Sequence, residues 1–234
     1  TLISSFRLAL AALREKASGM APKRTEDELP LTFVGGALLL CGLLASFLPL
    51  MAGSGGNIGL VAGLAVVVFS FFFVTVSSRI VGLIGSSSNP ISGMTIATVL
   101  ICALLFGSMY AGAEAKVAVL TIGALVCIAA AIAGDTSQDL KTGFLVGATP
   151  KNQQIGEIVG VIAAALAMST VLALFQEQIV SQEFKAPQAN LIRLVIDGVL
   201  DGNLPWALVF VGMAMAFTVE IMGLPTLAFA VGLY

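Results

Sequence analysis

Residues 84–98 read IGSSSNPISGMTIAT, and on either side lies an apolar run long enough to cross a membrane. Pro90 has no amide hydrogen and disfavours helix at Asn89, while Gly85 and Gly93 let backbones approach closely. One straight helix cannot run through this stretch. Two readings follow. Either the stretch is broken helix at membrane depth, with Asn89 capping the next helix and its first amides turned into a polar pocket. Or it is a short surface loop between two complete spans, with Arg79 close by.

Working outward, about 30 Å of hydrocarbon needs roughly 20 apolar residues in a helix. Residues 31–50, 58–78, 94–113, 117–134 and 158–175 qualify or nearly do, and none of these runs holds a charged side chain. A sixth run covers 204–234, interrupted by Glu220. Of the 234 residues, 58% are hydrophobic and 10% charged, whereas soluble domains carry about a quarter charged residues. Backbone groups in lipid must bond within their own segment, which runs of this length do as helices. The expected fold is an all-α polytopic membrane protein of about six transmembrane helices, with broken or re-entrant segments.

Charge placement orients the chain. Eight Lys and Arg side chains lie before the first run, after the second and after the fourth, against Lys116, Lys185 and Arg193 in the other connections. This puts the charged segment 1–29 and a loop at 135–155 in the cytoplasm, with residues 30–234 as the membrane domain. Residues 186–203 repeat apolar side chains at i+4 (Leu191, Val195, Val199; Ile192, Ile196, Leu200), with Arg193 and Asp197 paired at i,i+4 on the polar side. The segment reads as an amphipathic helix at the outer interface or packed on the spans. A net charge of −2 and the lack of a basic patch give no sign of a nucleic-acid partner. Cys41, Cys102 and Cys127 all fall in apolar runs and read as small buried hydrophobes. The absence of histidine removes the commonest ligand for a free transition metal and the usual base near neutral pH, so neither a metal site nor a cofactor is expected. No Gly-x-Ser-x-Gly elbow or convincing carboxylate pair suggests an enzyme. The chain opens on Thr1 and stops inside an apolar stretch, as part of a longer protein would.

Three polar islands carry the candidate chemistry. The first is 84–98. The second, 134–157, places Asp135, Asp139 and Lys141 before GFLVG, and Thr149-Pro150 then starts a new helix; Asp139 and Lys141 could pair or gate an exit. Glu157, in the first turn of the fifth span, is accounted for by the helix dipole. The third is Glu220. A continuous helix over 204–234 would be about 46 Å long, so a break at Gly223-Leu224-Pro225 is expected. Glu220 then lies either one turn before that break, where an ionisable group costs about 3 kcal/mol unless paired or protonated, or at the membrane edge. At depth it is a natural proton-coupling group.

The blocks SSNPISGMTIATVL, GDTSQDLKTGFLVGATPKNQQIGEIVGV, APQANLIRLVIDGVLDGNLPW and EIMGLPTLAFAVGLY resemble successive blocks of the oligopeptide transporter (OPT) family, in its bacterial branch. QDLKTGFL also resembles the QDFKTGYL of plant yellow-stripe-like metal-chelate transporters, although Thr149-Pro150-Lys151 stands where those relatives have Ser-Pro-Arg. The resemblance implies a secondary active transporter, a proton-coupled symporter of small oligopeptides or peptide-like metal chelates, completed by further transmembrane helices and working in membrane lipid. It implies substrate contacts at Asn89, Pro90 and Gly93, with Ser88 and Thr95 beside them. It also implies gating by Asp139, Lys141, Thr142, Gly143, Gly223 and Pro225, and proton coupling at Glu220. The weaker alternatives are a channel with re-entrant half-helices, for which a second Asn-Pro box is missing, and a glycine-rich membrane scaffold.

Overall fold

A computed structural model describes residues 23–51, 56–110, 112–181, 187–224, 226 and 229. Among them eight α-helices follow in order: α1 Leu31–Met51, α2 Gly56–Ile84, α3 Ile91–Met109, α4 Ala113–Val146, α5 Pro150–Leu174, α6 Gln176–Val180, α7 Pro187–Leu200 and α8 Trp206–Ile221. No strand occurs among the described residues. The first five are long and apolar enough to cross a membrane, while α8, in the sixth apolar run, has 16 residues. The all-α polytopic fold expected from the apolar runs is the one found.

The polar stretch does not break a span. Helix α2 continues for 29 residues and α3 for 19, about 43 and 28 Å at 1.5 Å per residue. Residues 85–90 connect two complete rods. Gly85 ends α2 with φ 82°, a left-handed value that glycine adopts without penalty. Ser86–Ser88 form one 3-10 turn, and Pro90 begins α3 where its missing amide costs nothing.

The expected loop at 135–155 is mostly helix. Nothing after Gly134 breaks the pattern until Gly147, which ends α4 at φ 74°. Only residues 147–149 lie outside helix, and Pro150 occupies the first turn of α5 behind Thr149, as Thr149-Pro150 foretells. Helix α4 therefore has 34 residues, about 51 Å, and its polar last third forms an elbow with the head of α5.

Helix α4 organises the core. Helices α2 and α3 both pack along it, α1 lies on α2, and α7 lies on α3. The buried centre comprises Val99, Cys102, Val119, Ile122 and Val126. Gly123 makes the α3–α4 approach possible, since a Cβ there would stand 2.6 Å from Val99 Cγ2. Ile192, Val195, Ile196, Val199 and Leu200 turn α7's apolar face onto this core. Of the cysteines, Cys102 is buried as expected, but Cys41 is exposed on α1. The apolar run around Cys41 fixes helix type, not which side faces its neighbours.

Candidate functional site

The connection 85–90 folds back onto α2 and α4 through a polar seam. Asn89 Nδ2 donates to Ser77 Oγ at 2.7 Å, and Ser77 Oγ donates to the Ala130 carbonyl at 2.6 Å. The Ser78 and Ser137 hydroxyls lie 2.6 Å apart, and the Ser86 amide donates to Gln138 Oε1 at 2.8 Å. Gly134 makes room: a Cβ there would stand 2.8 Å from Asn89 Nδ2. Asn89 therefore does not cap α3, which has no side-chain cap. Its amide group finds the Ser77 hydroxyl instead, and its Oδ1 is buried without a partner. Thr95 is buried with its hydroxyl on the Ile91 carbonyl, whereas Ser88 and Gly93 are exposed and Pro90 is half-buried. Asn89→Ala removes one bond of the seam, and a loss of about 1 kcal/mol is expected in detergent unfolding. An unchanged midpoint would show that the seam does not hold the connection.

A second polar site lies in the elbow. A groove of about 450 Å³ opens between α4 and α5, with Asp135, Thr136 and Asp139 on one wall and Glu157, Gly160 and Ala164 on the other. Thr136 Oγ1 donates to Glu157 Oε2 at 2.8 Å, and Glu157 Oε1 is buried without a partner. Glu157 is two turns into α5, because the helix begins at Pro150, eight residues ahead of the apolar run at Ile158. The dipole, which fades within the first turn, does not account for it. An unpartnered Glu157 oxygen in a groove shared with two further carboxylates favours a proton or an ammonium group, and the small residues Gly160 and Ala164 leave space beside it. No group of three or more His, Cys, Asp or Glu side chains is placed to hold a metal among the described residues.

The gating candidates separate. Asp139 and Lys141, two apart on a helix, do not face each other. Lys141 Nζ lies over the Phe144 ring, 5.2 Å from its centroid, while Asp139 lines the groove. Thr142 bonds the Gln138 carbonyl within its own helix. Gly143 leaves room for the Gln153 side chain, whose Nε2 donates to the Asp139 carbonyl at 3.1 Å. Helix α8 ends at Ile221 and Gly223 takes φ 71°, at the expected break. Pro225 lies outside the described residues. Glu220, exposed, accepts a hydrogen bond from Thr226.

Asp135, Thr136 and Glu157 line the groove without being among the site residues expected from the sequence. The spacing of Asp135, Thr136 and Asp139 puts all three on one face only once the segment is known to be helical.

Away from the elbow, Lys116 in the first turn of α4 bonds Asp197 at 2.8 Å and Asp201 at 3.2 Å, and Arg193 Nε reaches Asp197 at 3.5 Å as its i,i+4 spacing foretells. A cation at a helix N-terminus opposes the dipole; the two aspartates offset this and pin α7. The Lys116 hydrogen bond holds the Asp197 carboxyl below its ordinary value. A lowered folded-state pKa stabilises above the unfolded value and is lost as pH falls through the folded one. Amide protection of α7 is therefore expected to stay level from pH 7 to about 5 and to decline below about pH 4. In Lys116→Met that acid-dependent step should shrink, since Arg193 alone remains beside Asp197; an identical step in the variant would assign it to other groups.

The family model described as OPT oligopeptide transporter protein matches residues 3–234. A Haemophilus influenzae protein provisionally named an oligopeptide transporter is 30% identical over 202 residues, 72% of this chain and 32% of the relative. The chain thus spans 32% of that relative's length. No solved structure matches the chain.

Proposed function

We propose, because this chain belongs to the OPT oligopeptide transporter family, that it forms part of a secondary active transporter carrying small oligopeptides into the cell together with protons. The observation that carries the mechanism is the elbow groove, where Glu157 keeps one carboxylate oxygen buried and unpartnered beside Asp135 and Asp139. Such a carboxylate can take a proton, or the ammonium end of a peptide, and its charge then differs between loaded and empty states. Glu220, beside the helix end at Gly223, is a second candidate proton carrier. Ser88, Asn89, Pro90 and Gly93 are proposed as substrate contacts, because Asn89 Oδ1 is a buried acceptor still without a donor. Thr95 is the weakest of this group, its hydroxyl being engaged within α3. Asp139, Lys141, Thr142, Gly143, Gly223 and Pro225 are proposed to act at gates.

The likeness of QDLKTGFL to the yellow-stripe-like motif supports a peptide-like metal chelate as an alternative cargo, with the metal held by the chelator and not by the protein. Both cargoes are tested in one assay. Full-length protein in proteoliposomes is offered di- to hexapeptides and iron chelates, with and without an inward proton gradient. Peptide accumulation that vanishes when the gradient is collapsed is the expected result. Uptake indifferent to the gradient removes the symport mechanism, and uptake of chelates alone reassigns the cargo.

A further inference from the structure

Residues 24–29, a strap ahead of α1, are bound to the α4–α5 elbow, more than a hundred residues further along the chain. Arg24 Nη2 donates to the Gly147 carbonyl at 2.7 Å and Nη1 to Thr149 Oγ1 at 3.2 Å. The Lys151 amide donates to the Asp27 carbonyl at 2.9 Å, and Lys151 Nζ lies 4.0 Å from Asp27 Oδ2. The Leu29 amide donates to Gln154 Oε1 at 2.9 Å. These contacts fall on the groups that two helix ends leave unsatisfied. The Gly147 carbonyl, at the negative end of α4 just past its last residue, meets a guanidinium, while a first-turn amide of α5 carries partial positive charge and meets the carbonyl of an aspartate. Helix α5 has no side-chain cap of its own at Thr149.

Among the long helices α5 touches only α4 closely, near the elbow, and none of the described residues of α5 is buried. Its direction is thus fixed by the elbow and by whatever grips the elbow. Helix α1 begins at Leu31, directly after the strap, and lies on α2.

We propose that residues 24–29 are a latch in which Arg24 and Asp27 cap the two helix ends of the elbow and set the angle of α5. Release of this latch opens the groove between Asp139 and Glu157. Glu157 is about 12 Å along α5 from Thr149, so a tilt of about 10° at the elbow moves it by about 2 Å. That is enough to exchange the Thr136 bond for another partner. Because only Pro30 separates the strap from α1, a shift of α1 along α2 pulls on Arg24 and Asp27 directly. Arg24 acts here as a positioning residue. The latch's part in uptake rests on the transport function proposed above; the grip on the elbow does not.

The test uses full-length protein in nanodiscs and in proteoliposomes. Amide exchange over residues 147–157 is compared in wild type, Arg24→Ala and Arg24→Lys. Faster exchange confined to the elbow, by roughly tenfold for alanine and less for lysine, which keeps the charge but loses the two-pronged grip, is expected. In a background free of native cysteines, Asp27→Cys/Lys151→Cys is then oxidised. Arrest of uptake, reversed by reductant, is the expected outcome. Elbow exchange that ignores Arg24→Ala, or oxidised protein that transports at the reduced rate, overturns the latch. Because exchange needs no transport, the two ideas fail separately. Arg24-dependent exchange in a protein without gradient-driven uptake removes the symport reading and leaves the latch; normal uptake with Arg24-independent exchange does the reverse.

Discussion

Glutamine in place of Glu157 in the full-length protein is expected to abolish proton-driven accumulation while leaving substrate counterflow intact. The physical reason is the setting of the carboxylate. One oxygen accepts from Thr136, the other is buried and unpartnered, and Asp135 and Asp139 share the groove. Glutamine has nearly the same shape and still accepts the Thr136 hydrogen bond, so the elbow keeps its packing. It cannot gain or lose a proton. One charge moved through 100 mV supplies about 2.3 kcal/mol, which supports roughly 50-fold accumulation for one proton per substrate. In Glu157→Gln the internal to external ratio should fall to about 1, because the carrier still cycles but no longer draws on the gradient. Exchange of labelled for unlabelled peptide across the same vesicles should continue. Glu220→Gln is the paired measurement. Glu220 is exposed among the described residues and bonded to Thr226, a setting that asks less of its charge. The variant that loses accumulation and keeps counterflow identifies the proton carrier. If both accumulate like wild type, neither carboxylate couples the proton and the role assigned to the groove is lost.

The elements were legible in the sequence wherever one residue type dictates one behaviour. Uninterrupted apolar runs became α1 to α5, Thr149-Pro150 started α5, and α8 stopped ahead of Gly223, because spanning length, a missing amide and positive φ are local demands. Residues 135–146 read as loop by their polarity but are helix, since Asp-Thr-Ser-Gln-Asp-Leu-Lys contains no helix breaker. Polarity reports the solvent a segment faces, not its backbone. The loop reading hides one wall of the groove, since Asp135 and Asp139 share a face only on a helix; Glu157 escapes because its turn is counted from the apolar run at Ile158 and not from the helix start at Pro150. Asn89 misled for another reason. Cap preference is a local statistic, and the Ser77 hydroxyl that claims its amide group arrives through packing of α2 against α4. The strap is the extreme case, because Arg24 and Gly147 carry no sequence signal of their meeting.

Gly63→Val is expected to loosen α1 from α2 at a cost of about 1–3 kcal/mol, the usual range for overpacking. Between helices in lipid, apolar burial drives little association, so small residues that let backbones approach supply much of the contact. Here Gly42 and Ser46 of α1 meet Gly63 and Val67 of α2, with Ala45, Ala62 and Gly63 buried. A Cβ on Gly63 would overlap the Ser46 hydroxyl and stand 2.7 Å from the Gly42 carbonyl oxygen. Ser46 can rotate away, giving up its 3.0 Å bond to that same carbonyl. The carbonyl belongs to the backbone of α1 and cannot, so the helices must part. Gly36→Val is the matched control, since a Cβ there meets nothing within 4 Å and the same loss of glycine should be close to neutral. A third protein divides the clash. Gly63→Ala combined with Ser46→Gly removes the hydroxyl overlap but not the carbonyl, and should recover only part of the stability lost in Gly63→Ala alone. Unfolding midpoints of the four full-length variants in one detergent would decide it. Equal midpoints for Gly63→Val and Gly36→Val would mean that α1 is held to the bundle by something other than this close approach.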